Sequence, residues 1–254
     1  SLQRNVAKHD RILDFAARLP AARERIREDL RTDGLTRTRV LACAVRLLDL
    51  GAFRVGSEQY AEDNGTYGLA TLRREHVSVR GERVFFHYTA KGGIDREVEL
   101  LDRPTATVVR QLLERPEDEG QELLGYRLAD GSWHDVTSDE VNAYLKEVSG
   151  AEITAKDFRT WTATVMMAAT LAEAPPPRSK TARQKLVRQA YVKVSEQLGN
   201  TPTVCKNSYV DPRVVDRYEH GETVVDALAE AAKAPDDRTA QRTIETAVCQ
   251  LLSA

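Results

Sequence analysis

Residues 76–100 read HVSVRGERVFFHYTAKGGIDREVEL. Apolar and polar residues alternate here, and β-branched and aromatic residues are frequent, a pattern typical of half-buried strands. Two turn signals, Gly81-Glu82 and Lys91-Gly92-Gly93, divide the stretch into HVSVR, RVFFHYTA and IDREVEL. We therefore predict three short antiparallel strands, the only sheet that the sequence clearly indicates.

Apolar residues recur at helical spacing on both sides of this stretch. Upstream, they predict a first helix that Pro20 interrupts and a second helix, over residues 40–48, that Gly51 ends. Downstream, residues 137–140 and 154–157 have the composition of capping boxes, and an apolar helical face over residues 186–198 stops at Gly199. The predicted fold class is α+β, mostly α, with one small sheet.

The predicted organisation is one catalytic domain over residues 13–254, with the sheet at about 76–100. The run Pro175-Pro176-Pro177 predicts a mobile loop at about 174–182. With 41% hydrophobic residues, the chain can bury a core without disulfides or metal, and its three cysteines lack metal-ligand spacing. No apolar run approaches the roughly 18 residues of a membrane span and no signal core is visible, so we expect a cytoplasmic protein.

The net charge of −2 is unfavourable for binding a polyanion, but the charge is unevenly distributed. Residues 154–210 hold nine Lys or Arg against three acids, whereas residues from 211 onward hold five basic against nine acidic residues. The basic segment is consistent with either a nucleic-acid surface or an ordinary solvated helix face.

The common signatures of nucleotide-binding, zinc-protease and serine-hydrolase sites are absent from the sequence. What remains is a scattered set of polar residues, each of which alone has an ordinary structural explanation. They are Arg54 in FRVGSEQY, Lys91 at the predicted second turn, Arg159 in KDFRTW, Asn200 in LGNTPTVC and Tyr209 in KNSYVDP.

In this order and in these contexts, the set resembles the catalytic residues of the poxvirus and bacterial type IB DNA topoisomerases. The resemblance covers nearly the whole chain and is carried by RVGSEQYAEDNGTYGLATLRREHV at residues 54–77, then by Lys91, KDFRTW and LGNTPTVCKNSYVDP. It implies the catalytic fold that type IB topoisomerases share with tyrosine recombinases. Ala and Arg richness further indicates a bacterial source.

By this resemblance, Tyr209 attacks a DNA phosphorus, expels the 5′ oxygen and forms a 3′-phosphotyrosyl link. Arg54 and Arg159 would stabilise the nonbridging oxygens of the transition state, Asn200 would donate an amide hydrogen bond, and Lys91 would protonate the leaving oxygen. The resemblance also implies a DNA contact at Tyr60, for which a core tyrosine is the alternative. Lys156 lies three residues before Arg159, on the same face of a helix, and we therefore assign it to phosphate binding.

The resemblance also implies a monomer that relaxes supercoiled duplex DNA without ATP, metal or cofactor, and we expect it at the bacterial nucleoid. One geometric expectation concerns Asn200 and Tyr209. Nine residues of straight helix would separate their backbones by about 13 Å. We therefore predict a helix that begins after Asn200, with Thr201 as its cap and Pro202 in its first turn, and that bends or loosens near Tyr209.

The sequence departs from the family pattern at three places. Asn200 stands where poxvirus members have a histidine, and Ser57 stands where they have a basic residue. Residues 1–12 resemble the connector that follows a β-rich amino-terminal domain in the family. Without that domain, we expect covalent adduct formation but poor supercoil relaxation.

The sequence leaves two other functions open. A site-specific tyrosine recombinase or integrase would share the fold and the tyrosine, but its second arginine usually belongs to an HxxR box, whereas this chain has Lys156-Asp157-Phe158-Arg159. A non-enzymatic DNA-binding or scaffolding helical domain would leave Tyr209 inert. The motif at residues 156–159 favours the topoisomerase.

Overall fold

The alternating stretch forms a three-stranded antiparallel sheet, as predicted. Its strands, paired in the order β1-β2-β3, are β1 (Val77–Arg80), β2 (Arg83–Ala90) and β3 (Ile94–Leu101). The register places Val84 opposite Leu100 and Tyr88 opposite Arg96. Alternate residues of β2, beginning at Val84 and ending at Ala90, are buried, because successive side chains on a strand point to opposite faces.

Most of the remaining chain is helical, which confirms the predicted fold class. The helices are α1 (Leu2–Leu30), α2 (Arg37–Gly51), α3 (Glu58–Asn64), α4 (Arg103–Leu113), α5 (Ser138–Ser149), α6 (Ala155–Leu171), α7 (Lys180–Leu198), α8 (Pro202–Val204), α9 (Pro212–Glu219), α10 (Val225–Ala231) and α11 (Asp237–Ser253). Short 3₁₀ turns lie at Leu69–Thr71, Arg74–His76 and Glu117–Glu119, and a π-helical turn lies at Cys205–Tyr209.

This computed structural model describes residues 2–254, and of residues 2–10, Glu58 and Tyr60 it describes only the backbone. The predicted connector at residues 1–12 therefore lies mostly outside the described side chains. The chain divides into two compact units, one of residues 18–159 and the other of residues 1–17 with 160–254. Among residues 2–254, none of the helices combines the length and the hydropathy that a membrane span requires.

The predicted helix boundaries at α5 and α7 are confirmed. At α5, the Thr137 side chain accepts from the Glu140 backbone N–H and the Glu140 carboxylate accepts from the Thr137 N–H, which is the reciprocal bonding of a capping box. Gly150 and Gly199 end α5 and α7 in the left-handed conformation. The proline-rich loop ends at Ser179, whose hydroxyl caps α7, so the helix begins inside the predicted loop of residues 174–182.

The predicted interruption of the first helix at Pro20 is wrong. Helix α1 continues through Pro20, which lies on its exposed face. The opposite face is a continuous buried stripe that runs from Ile12 through Leu19 and Ile26 to Leu30. Burial of this stripe outweighs the one backbone hydrogen bond that a proline removes, and the carbonyl that loses its partner can bond water on the exposed face.

Helix α2 ends at Gly51, as predicted, but Gly51 does not take the left-handed conformation that commonly ends a helix. The helix includes Gly51, and Ala52 takes the left-handed conformation, with φ of 49°, while its N–H donates to the Leu48 carbonyl. The reason is steric, because a Cβ on Gly51 would lie 2.3 Å from the Phe53 ring. Glycine is therefore needed at 51 for the close approach of that ring, and the strained conformation falls on Ala52.

The structure also contains a second sheet, which the sequence does not indicate. Strands β4 (Gly125–Arg127) and β5 (Trp133–Asp135) form a two-stranded antiparallel hairpin between α4 and α5. Each strand has three residues, which is too short for a period of two to be recognised in the sequence. The guanidinium carbons of Arg115 and Arg127 lie 4.8 and 5.1 Å from the centre of the Trp133 ring, so cation–π contacts contribute to this hairpin.

Candidate active site

Arg54 lies in the segment of residues 51–56, which comprises the last residue of α2 and the loop that follows it and which we call the arginine loop. Its backbone is fixed from several sides. The Arg54 carbonyl accepts a hydrogen bond from the Leu69 N–H at 2.7 Å, and the Val55 carbonyl accepts from the Ala70 N–H at 2.8 Å. The Arg54 side chain, which is half-buried, therefore projects from a backbone with little freedom to move.

Two glycines explain how the arginine loop and the segment at residues 68–70 come so close. A Cβ on Gly68 would lie 2.5 Å from the backbone of Gly56, and a Cβ on Gly56 would lie 2.8 Å from the backbone of Gly68. Gly56 also has a φ of +77°, which favours glycine. Thr71 reinforces the contact, because its hydroxyl accepts from the Gly68 N–H at 3.0 Å. The spaced glycines and threonine of the 54–77 motif thus position Arg54.

Arg159 is brought to the same loop. It lies in the first turns of α6, is 2% exposed, and its Nη1 donates to the Ala52 carbonyl. Arg54 and Arg159 are therefore joined through two residues of backbone. Lys156 lies three residues earlier on the same helix and is exposed, as a group that contacts a polyanion must be.

Lys91 lies at the tip of the β2–β3 hairpin, in a turn of residues 91–93 that we call the lysine turn. Gly92 and Gly93 both have positive φ, and the Gly93 N–H donates to the Ala90 carbonyl at 3.0 Å. The Tyr67 N–H donates to the Thr89 carbonyl at 2.8 Å. The chain that follows the arginine loop thus also contacts β2 two residues before Lys91, so the structure brings Lys91, Arg54 and Arg159 into one backbone network.

Tyr209 is the last residue of the π-helical turn. Thr201 caps the preceding helix through a hydrogen bond from the Val204 N–H, and Pro202 is its first residue, as predicted. The predicted loosening is the π turn itself, in which the Val210 N–H reaches back five residues to the Cys205 carbonyl at 3.0 Å. Tyr209 is 5% exposed.

The residues after Tyr209 are anchored firmly. The Asp211 N–H donates to the Thr164 hydroxyl of α6 at 3.1 Å. The Asp211 carboxylate caps α9 and accepts from the Arg213 guanidinium, which also donates to the Leu252 carbonyl. Because Asp211 is buried, ion-paired and hydrogen-bonded, it fixes the backbone before and after it.

Asn200 follows the glycine that ends α7, and its N–H donates to the Ser195 carbonyl at 3.0 Å. Its side-chain Nδ2 and Oδ1 are both buried and have no hydrogen-bond partner among the residues that the structure describes. An unpaired buried amide costs about 1–3 kcal/mol, so such groups call for an explanation. Asn200 and Tyr209 belong to the second unit, whereas Arg54, Lys91, Lys156 and Arg159 belong to the first.

Tyr60 lies in α3, and its side chain is outside the described residues, so its predicted DNA contact stays a prediction.

Tyr191 of α7 is a second buried tyrosine in the unit that holds Tyr209. Burial, together with the smaller effects of Cys205 and Asp216, raises the pKa of Tyr191 to about 12. Tyr191 is therefore a neutral phenol at physiological pH.

In the described part of the chain, no group of three or more His, Cys, Asp or Glu side chains is placed to hold a metal ion.

Residues 2–234 match the family described as the eukaryotic DNA topoisomerase I catalytic core. The chain belongs to this family. Family membership confirms the resemblance to type IB topoisomerases predicted from the motifs at residues 54–77, 156–161 and 198–212. The mostly helical fold with one small antiparallel sheet agrees with that assignment.

Individual members of the topoisomerase I family are similar to this chain over large parts of its length. A DNA topoisomerase 1B of Acanthamoeba polyphaga mimivirus is 26% identical over 220 residues, which are 84% of this chain and 65% of the relative. The DNA topoisomerase 1 of Schizosaccharomyces pombe is 28% identical over 174 residues, or 68% of this chain and 20% of the relative. That of Candidozyma auris is 31% identical over 150 residues, or 57% and 19%. The chain thus spans less than two thirds of each of these relatives.

Proposed function

We propose that this chain carries out the cleavage and rejoining steps of a type IB DNA topoisomerase on duplex DNA. The observation that carries the proposal is that Arg159 bonds the carbonyl of Ala52, two residues from Arg54. Two guanidinium groups that share one fixed stretch of backbone can donate to the same phosphate with little reorganisation. The family membership supports the choice of DNA as the substrate.

In the proposed reaction, the Tyr209 oxygen attacks the phosphorus, and the bond to the 5′ oxygen breaks. A phenol of ordinary pKa near 10 is about a thousandth ionised at pH 7, so the site must favour its anion or take its proton. Arg54 and Arg159 stabilise the charge that develops on the nonbridging oxygens, and Asn200 adds a neutral donor. Lys91 supplies the proton to the 5′ oxygen, and rejoining reverses these steps.

We further infer that the reaction needs neither ATP nor metal, because the phosphotyrosyl bond retains the energy of the broken diester and side chains provide the positive charge. Monomeric action, a cytoplasmic location at the nucleoid and a bacterial source remain predictions of the sequence. The organisation predicted there, a connector at residues 1–12 and a catalytic domain at 13–254, is proposed in the same way.

The deciding experiment is incubation of the chain with end-labelled duplex DNA in EDTA, followed by denaturing gel electrophoresis. Wild type should form a covalent protein–DNA adduct, and Tyr209→Phe should form none. Tyr191→Phe is the matched control, because it removes another buried phenol from the same unit, and its adduct should equal that of wild type. An adduct with Tyr209→Phe, or dependence on added metal, would contradict the proposed mechanism.

The alternative is a site-specific tyrosine recombinase, which would form the same adduct. It is disfavoured by Lys156 at the position of the HxxR histidine and by the family match. Relaxation of plain supercoiled plasmid by the protein alone, with products that differ in linking number, supports the topoisomerase. Adduct formation restricted to one sequence and followed by strand exchange between two duplexes would support the recombinase instead.

A further inference from the structure

Arg96 is a buried positive charge in the middle of β3, 5% exposed. Strand parity places it on the same face as Ile94 and Val98, toward the interior. A guanidinium cannot lose its proton in a protein, and its burial is costly unless its donors are used. The contacts that it makes inside the sheet therefore have structural significance.

Those contacts join two parts of the candidate active site. One terminal nitrogen, Nη2, donates to the Gly51 carbonyl at 2.6 Å, and the other, Nη1, donates to the Tyr88 hydroxyl at 2.9 Å. The guanidinium carbon also lies 5.0 Å from the centre of the Phe53 ring. Gly51 and Phe53 belong to the arginine loop, whereas Tyr88 belongs to the strand that leads to the lysine turn.

At the arginine loop, two buried arginines hold successive carbonyls. Arg96 bonds that of Gly51, and Arg159 bonds that of Ala52. The backbone dihedrals between these two carbonyls are those of Ala52, which is in the left-handed conformation. A residue with a Cβ adopts this conformation only at an energetic cost. The two guanidinium groups thus stabilise a strained backbone two residues before Arg54.

At the lysine turn, Arg96 spans the two strands that the turn connects. Tyr88 and Arg96 are direct partners in the register, two pairs removed from Ala90 and Ile94, which flank residues 91–93. The planar fork of one guanidinium therefore sets the distance between the hairpin that carries Lys91 and the loop that carries Arg54. Lysine has no such fork and cannot hold both acceptors in this geometry.

We propose that Arg96 is a positioning residue for DNA cleavage, which holds the arginine loop against the lysine hairpin so that Arg54 and Lys91 act on one phosphate. This proposal rests on the proposed function of the chain. Arg96 is buried beneath the loop and acts through Arg54 and Lys91.

The test compares Arg96→Met and Arg96→Lys with Arg83→Met, a change of the same kind at the far end of β2, where the arginine is half-exposed and pairs with Glu99. Single-turnover cleavage of a labelled duplex should slow by about 10-fold to 100-fold for both Arg96 variants, with an unchanged dissociation constant for DNA. Arg83→Met should cleave like wild type. Wild-type rates for Arg96→Met, after correction for the folded fraction, would overturn the proposal.

A double-mutant cycle separates positioning from general damage. If Arg96 acts partly through Arg54, its removal should slow an Arg54→Ala protein by much less than it slows wild type. An equal slowing in both backgrounds would mean that Arg96 does not act through Arg54.

A second measurement does not depend on cleavage. Amide hydrogen exchange at Ala52, Leu69 and Ala70, whose N–H groups bond Leu48, Arg54 and Val55, should be faster in Arg96→Met than in Arg83→Met. Unchanged protection would refute the role of Arg96. Absence of any adduct from wild type would instead count against the proposed function, so the two failures are distinguishable.

Discussion

The side-chain amide of Asn200 is buried, and neither its Nδ2 nor its Oδ1 has a hydrogen-bond partner among the described residues. This is an energetic cost in the free protein that contact with a phosphate would remove. We predict that Asn200→Leu, which keeps the shape and removes the unpaired atoms, leaves the urea unfolding midpoint unchanged or raises it. Adduct formation by the same variant should slow by about 10-fold or more, since the donor is lost.

The matched control for this prediction is Asn142→Leu. The Asn142 Oδ1 accepts from the Ala155 N–H at the start of α6, at 3.1 Å. Its removal leaves a backbone donor without that acceptor, so the unfolding midpoint should fall by the equivalent of about 1 kcal/mol. A similar loss of stability at Asn200 would show that its side chain has a structural role.

His76 makes stability depend on pH. Burial lowers its pKa below the ordinary 6.5, Arg73 and His87 lower it further, and Glu75 opposes them. Its Nδ1 accepts from the Arg73 N–H at 3.0 Å, which requires the unprotonated nitrogen. As the pH falls below 6.5, the unfolded chain therefore binds a proton that the folded chain does not, and stability declines until the lowered pKa is reached.

We accordingly predict that the free energy of unfolding in urea falls between pH 7.5 and pH 5.5, and that His76→Asn falls less. Asparagine can accept from the Arg73 N–H through its side-chain oxygen but does not titrate. Identical pH dependence in the two proteins would exclude His76 as the cause.

The arginine loop depends on the absence of a side chain at Gly56. An alanine there meets both a strained φ of +77° and the backbone of Gly68 at 2.8 Å. Gly65 has a similar φ of +61° with nothing within 4 Å of the added Cβ. We predict that Gly65→Ala costs about 1–2 kcal/mol of stability, from conformation alone, and that Gly56→Ala costs distinctly more in urea unfolding and also abolishes cleavage. Equal costs would show that the loop can move aside.

The sequence predicted those elements whose signals are local. The strands of the three-stranded sheet, the caps at Thr137 and Thr201, and the break in the helix before Tyr209 all follow from neighbouring residues. The continuity of α1 through Pro20 and the left-handed Ala52 were not predictable in this way. Each is decided by side chains distant in sequence or by the packing of a ring.

The same distinction between local signals and distant contacts applies to the residues of the candidate site. Resemblance selected Arg54, Lys91, Arg159, Asn200 and Tyr209, but Arg96 was overlooked because arginine in a strand is usually read as exposed. A signal was present in IDREVEL, where Arg96 shares its parity with Ile94, Val98 and Leu100 and therefore falls on the inward face. What no sequence pattern supplies is the acceptor that such a charge will find.

At the scale of the whole molecule, the net charge of −2 opposes the proposed binding of DNA, but the positive charge is concentrated in residues 154–210. Lys156 is exposed within the basic segment of residues 154–210, whereas Lys233 is exposed within the acidic segment that follows. We predict that Lys156→Ala weakens duplex binding and lowers the slope of log affinity against log salt by about 1, and that Lys233→Ala changes neither. Fluorescence anisotropy in a Tyr209→Phe background measures this without covalent trapping, and equal slopes would rule out a phosphate contact at Lys156.

The π-helical turn before Tyr209 has a consequence for how the chain can vary. Each residue advances an α-helix by about 100°, so deletion of one residue between 202 and 208 would rotate the Tyr209 side chain about the helix axis by a quarter-turn or more. Substitutions of exposed residues in the same segment leave the direction of that side chain unchanged. Most surface loops accept additions and losses of length. In this segment, the number of residues between Asn200 and Tyr209 should therefore be fixed, whereas the identity of the exposed residues among them can vary.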